Sequence, residues 1–214
     1  MEAQQVVDSW VHLHPDEPTT LLSGTKASES AVLAIASRSR ALHLATHGFF
    51  ARVCPGDSSR SGFGTSPWAR DPLLRSGIAL AGSNRHGAPS SNGDDGVLTA
   101  EEIATSDLSS LDWIVLSACE SGVGEVTPGE GVYGLRRALA IAGVRTTVMS
   151  LWKVDDLAAQ IWMRHLYEAR FSDRLSVADA VRTASMQMLK EQRAHGRSTS
   201  PSTWGAFIAT GAWR

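Results

Sequence analysis

Cys119 and His47 are the two side chains whose surroundings best fit them for chemistry, as a nucleophile and a base. Cys119 closes an apolar run in the stretch Leu111 to Gly124, LDWIVLSACESGVG, and is followed by Glu120, Ser121 and Gly122. Ile114, Val115 and Leu116 carry no charge and include β-branched residues, which suits a central strand covered on both faces. Ser121, Gly122 and Gly124 then make a loop. His47 holds the same place in a second run, Ala41 to Phe50, ALHLATHGFF, where Gly48 is expected to open a loop. If the two strands are parallel neighbours, both residues emerge at the carboxyl edge of the sheet, where ligands of open α/β sheets bind. A thiol beside an imidazole reacts as a thiolate. Gly48 has no side chain, so its N–H can approach a substrate carbonyl as an oxyanion donor.

Plainer readings compete with these. Free cysteines are commonly small buried hydrophobes, yet the small and polar residues after Cys119 place the thiol at a cleft. A histidine at a strand end often bonds a backbone carbonyl. His43 lies four residues earlier on what reads as the same strand face, and it is assigned to packing. Asp155 and Asp156 precede Leu157, Ala158 and Ala159, a pattern of helix cap and dipole partner, although their loop also follows a core strand. Glu125 and Glu130 read as solvated loop and first-turn acids.

Other patterns carry less. Gly129, Gly131 and Gly134 have the GxGxxG spacing of a dinucleotide site, but such glycines should follow the strand end at once, and about ten residues intervene. Ser23 to Lys26 matches S-x-x-K without its companion motifs. Cys54 and His47 lack two further ligands at zinc spacing, so neither a metal nor a cofactor is expected. The seven Trp residues read as packing.

The elements that position this pair can be followed along the chain. Val6, Val7, Trp10 and Leu13 share one face of a helix over Glu2 to Leu13, stopped by Pro15. Thr19 to Leu22 is expected to form a short strand. Ser28 or Ser30 caps a helix reaching about Ser39, with Val32, Leu33, Ile35 and Ala36 inward. Residues 51–96 are dense in Gly, Ser, Pro, Asn and Asp, and read as two loops around a short strand at Gly77 to Ala81. Thr99 and Glu102 have capping-box spacing at the start of a helix ending near Thr105. A helix from Glu130 to about Ile141 ends at Gly143. Then come a core strand over Arg145 to Trp152, helices over Asp155 to Arg170 and Ser176 to Gln192, and a last strand over Trp204 to Thr210. Strands alternating with helices imply a largely parallel sheet. A chain opening on a helix with no strand before it is unusual for such a domain, so the chain is expected to be a piece of a longer protein.

Composition sets outer bounds. The chain has 214 residues, 43% hydrophobic and 20% charged, which fits one globular domain and excludes collagen, coiled coil and wholesale disorder. A net charge of −2 with scattered Lys and Arg gives no footprint for nucleic acid. Two cysteines make no disulfide framework. No apolar run approaches the ~18 residues needed to span a bilayer, so no membrane is expected as partner. The start MEAQQVVDSW lacks the basic region of a secretory signal, and a cytoplasmic location is the expectation.

The segments LHLATHGFF, DPLLRSGIALAG, DDGVLTAEEI, VLSACESGVGEVTPGEGVYGLRRALAIAGV, SLWKVDD and WGAFIATG, in this order from about Leu42 to Gly211, resemble the CHAT domain. That is a caspase-like module of the clan CD cysteine peptidases, similar also to separase. The resemblance implies a caspase-like three-layer α-β-α sandwich with a mostly parallel sheet, whose first, central strand would precede the opening helix here. It matches His47 to the catalytic His of the His-Gly motif and Cys119 to the nucleophile of the Ala-Cys-x-Ser/Thr-Gly motif. It implies a dyad without a third member, with the N–H groups of Gly48 and Cys119 holding the oxyanion. By similarity to separase, Asp155 or Asp156 selects Arg or Lys at P1, although CHAT relatives also cleave after apolar residues. The expected partners are a protein substrate and a regulatory region, such as TPR repeats or a sensor, that controls activity. The alternative is a catalytically idle caspase-like scaffold that binds proteins; a scaffold has no need to keep both His47 and Cys119.

Overall fold

Alternating apolar residues decide how the central strands are buried. In β5 (Trp113–Leu116) Ile114 and Leu116 belong to one core cluster, and Trp113 and Val115 to another. This is the period-two alternation of a strand covered on both faces. The computed structural model describes residues 2–50, 72–84, 94–117, 119–120 and 130–212.

In chain order these residues form α1 (Glu2–Leu13), a 3-10 turn (Gly24–Lys26), α2 (Glu29–Ala36), β1 (Ala41–Leu44) and β2 (His47–Phe50). Next come α3 (Pro72–Arg75), β3 (Ser76–Ala79), β4 (Val97–Thr99), α4 (Ala100–Thr105), β5, and β6 (Cys119–Glu120). The chain continues with α5 (Glu130–Ile141), β7 (Thr146–Ser150), α6 (Asp156–Phe171), α7 (Val177–Ala194), α8 (Pro201–Trp204) and β8 (Phe207–Gly211).

The strands form two four-stranded sheets among the described residues. The larger has the order β1-β5-β7-β8, with β1, β5 and β7 parallel and β8 antiparallel to β7. Helices α2, α4 and α5 contribute Val32, Ile103 and Leu139 to the core on one face. Helices α6 and α7 contribute Trp162, Leu166 and Ala184 to the core on the other. This is a caspase-like α/β sandwich with a mostly parallel sheet. The smaller sheet, β4-β3-β2-β6, sits at its carboxyl edge.

Several expectations change. Ala41 to Phe50 is two strands, because the chain leaves β1 after Leu44 and re-enters a different sheet at His47. Gly48 therefore lies inside β2 and opens no loop. Thr19 to Leu22 takes no strand assignment, since no ladder pairs it; Leu22 packs on the core and the rest is exposed. β4 was not expected, because Val97 to Thr99 is too short for periodicity to show. The last strand begins at Phe207, after the short helix that Ser200 caps and Pro201 opens. The loops expected over residues 51–96 lie largely outside the described residues, as do Cys54, Glu125 and Gly129. The capping box is present: Thr99 Oγ1 accepts from Glu102 N, and Glu102 Oε2 accepts from Thr99 N at 2.7 Å. Among the described residues no helix is long and apolar enough to cross a membrane.

A buried carboxylate ties the smaller sheet to α2. Glu29, 6% exposed, accepts from the backbone N–H groups of Gly96 and, at 3.1 Å, Val97. Next to it Ser30 donates to Asp94 Oδ2 at 2.7 Å. Gly96 is required here: its φ is +84, and a Cβ would fall 2.0 Å from Ser83 N. Burial, the largest influence, raises the Glu29 carboxyl above its ordinary 4.5, against the lowering effect of the Gly96 hydrogen bond. A carboxyl whose folded pKa is raised binds its proton more tightly in the folded state. Stability is thus lost as pH climbs from about 4.5 through the raised value. The thermal midpoint of the wild type relative to Glu29→Gln should fall as pH rises from below 4.5 to 7; calorimetry across that range showing a constant difference would refute this.

Candidate active site

β1 and β5 run side by side in register, Leu44 opposite Leu116, and both chains then step out of the larger sheet. They meet again three residues later as β2 and β6. In that parallel pair His47 is the register partner of Cys119, and Gly48 of Glu120. Adjacent strands lie about 4.8 Å apart, so the two backbones that carry the expected base and nucleophile are immediate neighbours.

The step between β1 and β2 is anchored from β3. Thr46 Oγ1 donates to the carbonyl of Ala79, and Ala79 is in turn the antiparallel register partner of His47. Phe49 lies opposite Gly77, where an added Cβ would come within 2.7 Å of the Phe49 ring and 2.8 Å of Leu98 O. Only hydrogen fits, so β2 and β3 pack closely. Phe50, buried at the strand end, carries the Arg75 guanidinium over its ring at 4.4 Å. Sequence reasoning missed Thr46 and Gly77. A hydroxyl immediately before the histidine, and a glycine inside an apolar island, were the available signals.

The two histidines of this stretch divide as expected, although they stand on different strands. The His47 side chain is exposed at the sheet edge. The ring of His43 is buried, its Nδ1 2.7 Å from the Tyr167 hydroxyl and its Nε2 2.9 Å from Glu2 Oε1. Burial holds the Tyr167 hydroxyl well above its usual pKa, so it remains a neutral partner of the imidazole. His43 is a packing residue that fastens α1 to β1.

Asp155 is the N-cap of α6: its Oδ1 accepts from Leu157 N at 3.0 Å and Ala158 N at 3.2 Å. Asp156 is the first helical residue and is exposed. Both follow β7, the strand next to β5, at the same end of the sheet as Cys119. Trp152 shares that end. It was read as packing, but it is 38% exposed, and its Nε1–H donates to Ser202 O at 2.9 Å. Gly131 and Gly134 fall inside α5, so they form no phosphate-binding turn after a strand.

A family model for the CHAT domain matches residues 2–212. The chain belongs to the CHAT family. No curated protein matches it. In this member His47 and Gly48 open β2, and Cys119 opens its parallel neighbour β6.

Because Gly77 sets the closeness of β2 and β3, Gly77→Ala should destabilise the domain by about 1–3 kcal/mol through overpacking. Denaturant unfolding measures it, and a change under about 0.5 kcal/mol, the surface range, would contradict the tight pairing.

Proposed function

We propose that this CHAT domain is a cysteine endopeptidase working through a His47/Cys119 dyad. The observation that supports it most directly is the register pairing of those two residues on adjacent parallel strands, with the His47 side chain exposed rather than spent in the core.

The chemistry follows from the two groups. Cys119 loses its proton to His47, and the thiolate sulfur attacks the scissile carbonyl, forming a C–S bond and an oxyanion. The N–H groups of Gly48 and Cys119 hold that oxyanion. Collapse breaks the C–N bond while the imidazolium of His47 gives its proton to the departing amine. Water then adds to the thioester, its proton passing to His47, and the thiolate leaves as the acid product forms. On this reading the substrate is a protein with a basic P1 side chain, met by Asp155 or Asp156. Asp155 already binds two helix N–H groups, which makes Asp156 the freer of the two acids. A regulatory region or partner would release the activity.

Acyloxymethyl ketone probes with Arg, Lys, Leu or Asp at P1 test the assignment. We expect labelling of the wild type, fastest with Arg or Lys, its loss in Cys119→Ala, and a fall of about a hundredfold or more in His47→Ala. Labelling that persists in Cys119→Ala would sink the dyad. A folded protein that reacts with no probe would instead be a protein-binding scaffold.

A further inference from the structure

We propose that the outer face of α7 is a docking surface for an acidic, helical segment of a partner protein, seated on Met186 and held by the cations around it. Ala180, Val181, Ala184 and Met188 turn the inner face of α7 into the core that it shares with α6. With about 3.6 residues per turn, the side opposite to them carries Arg182, Met186, Lys190 and Arg193. All four are exposed. Arg197 follows just past the helix end, also exposed, its N–H bonded to Gln192 O at 2.8 Å. Basic residues that look scattered along the chain thus line up in one row, about 16 Å long from Arg182 to Arg193.

The charge of this row is uncompensated. A helix face that only meets water commonly mixes signs, so that acids and bases three or four residues apart support each other. Lys190, Arg193 and Arg197 have no acid at those spacings on either side. Instead they have one another, an arrangement of like charges that weakens the helix. The neighbouring acids are engaged elsewhere. Asp179, three residues before Arg182, accepts from Ser176 Oγ at 2.7 Å in the helix cap, and Glu191 lies 3.2 Å from the ring of the buried His165 on α6. Among the described residues none of Arg182, Lys190, Arg193 and Arg197 forms an ion pair.

Met186 points to the kind of partner. It is 41% exposed and stands one turn from both Arg182 and Lys190, in the middle of the row. Arg and Met are among the residue types enriched in protein interfaces, and a flexible thioether adapts to whatever apolar group meets it. A partner helix laid along α7 sets carboxylates against the cations and one apolar side chain against Met186, with anchors about one turn apart. A phosphate backbone has no apolar group for Met186, and a net charge of −2 repels a long polyanion. The row is short, so the contact belongs to the weak, transient class.

The test titrates the intact protein into a fluorescein-labelled synthetic helix of about 14 residues, with Glu at spacings of three and four along one face and a Leu at its centre. Fluorescence anisotropy reports binding. We expect affinity that falls as salt is raised, that drops about tenfold or more in Lys190→Glu/Arg193→Glu, and that drops about threefold or more in Met186→Ser. These positions are exposed, so each variant should keep the thermal midpoint of the wild type. Four results overturn the proposal. The peptide does not bind at low salt; the double variant binds it as well as the wild type, which puts the contact elsewhere; Met186→Ser leaves affinity unchanged, which reduces the contact to diffuse attraction; or a single-stranded oligonucleotide of equal charge displaces the peptide at a lower concentration than unlabelled peptide does, which gives the face to nucleic acid.

Discussion

Everything at this site depends on one constraint of strand geometry: two neighbouring parallel strands must leave their sheet together and re-pair without slipping. A slip of one residue between β2 and β6 would take His47 out of register with Cys119. The register is held at both ends. Below, Ile114 and Leu116 pack into one core and Trp113 and Val115 into the other, so β5 cannot shift without inverting its faces. Above, Thr46 is tied to Ala79, and Phe49 fits only over Gly77. The hydrophobic core thus determines where His47 and Cys119 stand, at a distance of three residues.

The smaller sheet joins the core through Ile78 and Leu98 and is also tied to α2 by carboxylate hydrogen bonds. Glu29 and Asp94 join the amino-terminal turn of α2 to residues 94–97, which feed β4, then β3, then β2. Surface pairs such as Arg40 with Asp112 at 2.6 Å hold exposed side chains and contribute little by comparison. A buried carboxylate receiving backbone N–H groups is costly to remove, because those donors would be left without a partner.

Much of this was legible in residue order. The run WIVL announced a two-sided strand, Thr99 and Glu102 announced a capped helix, and the placing of Cys119 and His47 on neighbouring parallel strands followed from the two apolar runs that precede them. What could not be read was where one apolar run divides into two strands. Nothing in ALHLATHGFF marks the change of sheet at Ala45 and Thr46, since that change is decided by β3, a segment distant in sequence. Thr19 to Leu22 failed for the complementary reason. Its residues suit a strand, but a strand exists only where a neighbour offers hydrogen bonds, and this segment borders an open groove.

That groove also reaches Thr46 and His47, the residues that carry the chain from β1 into the smaller sheet. A molecule seated in this groove would therefore touch the same backbone step, Ala45 to His47, that sets His47 against Cys119.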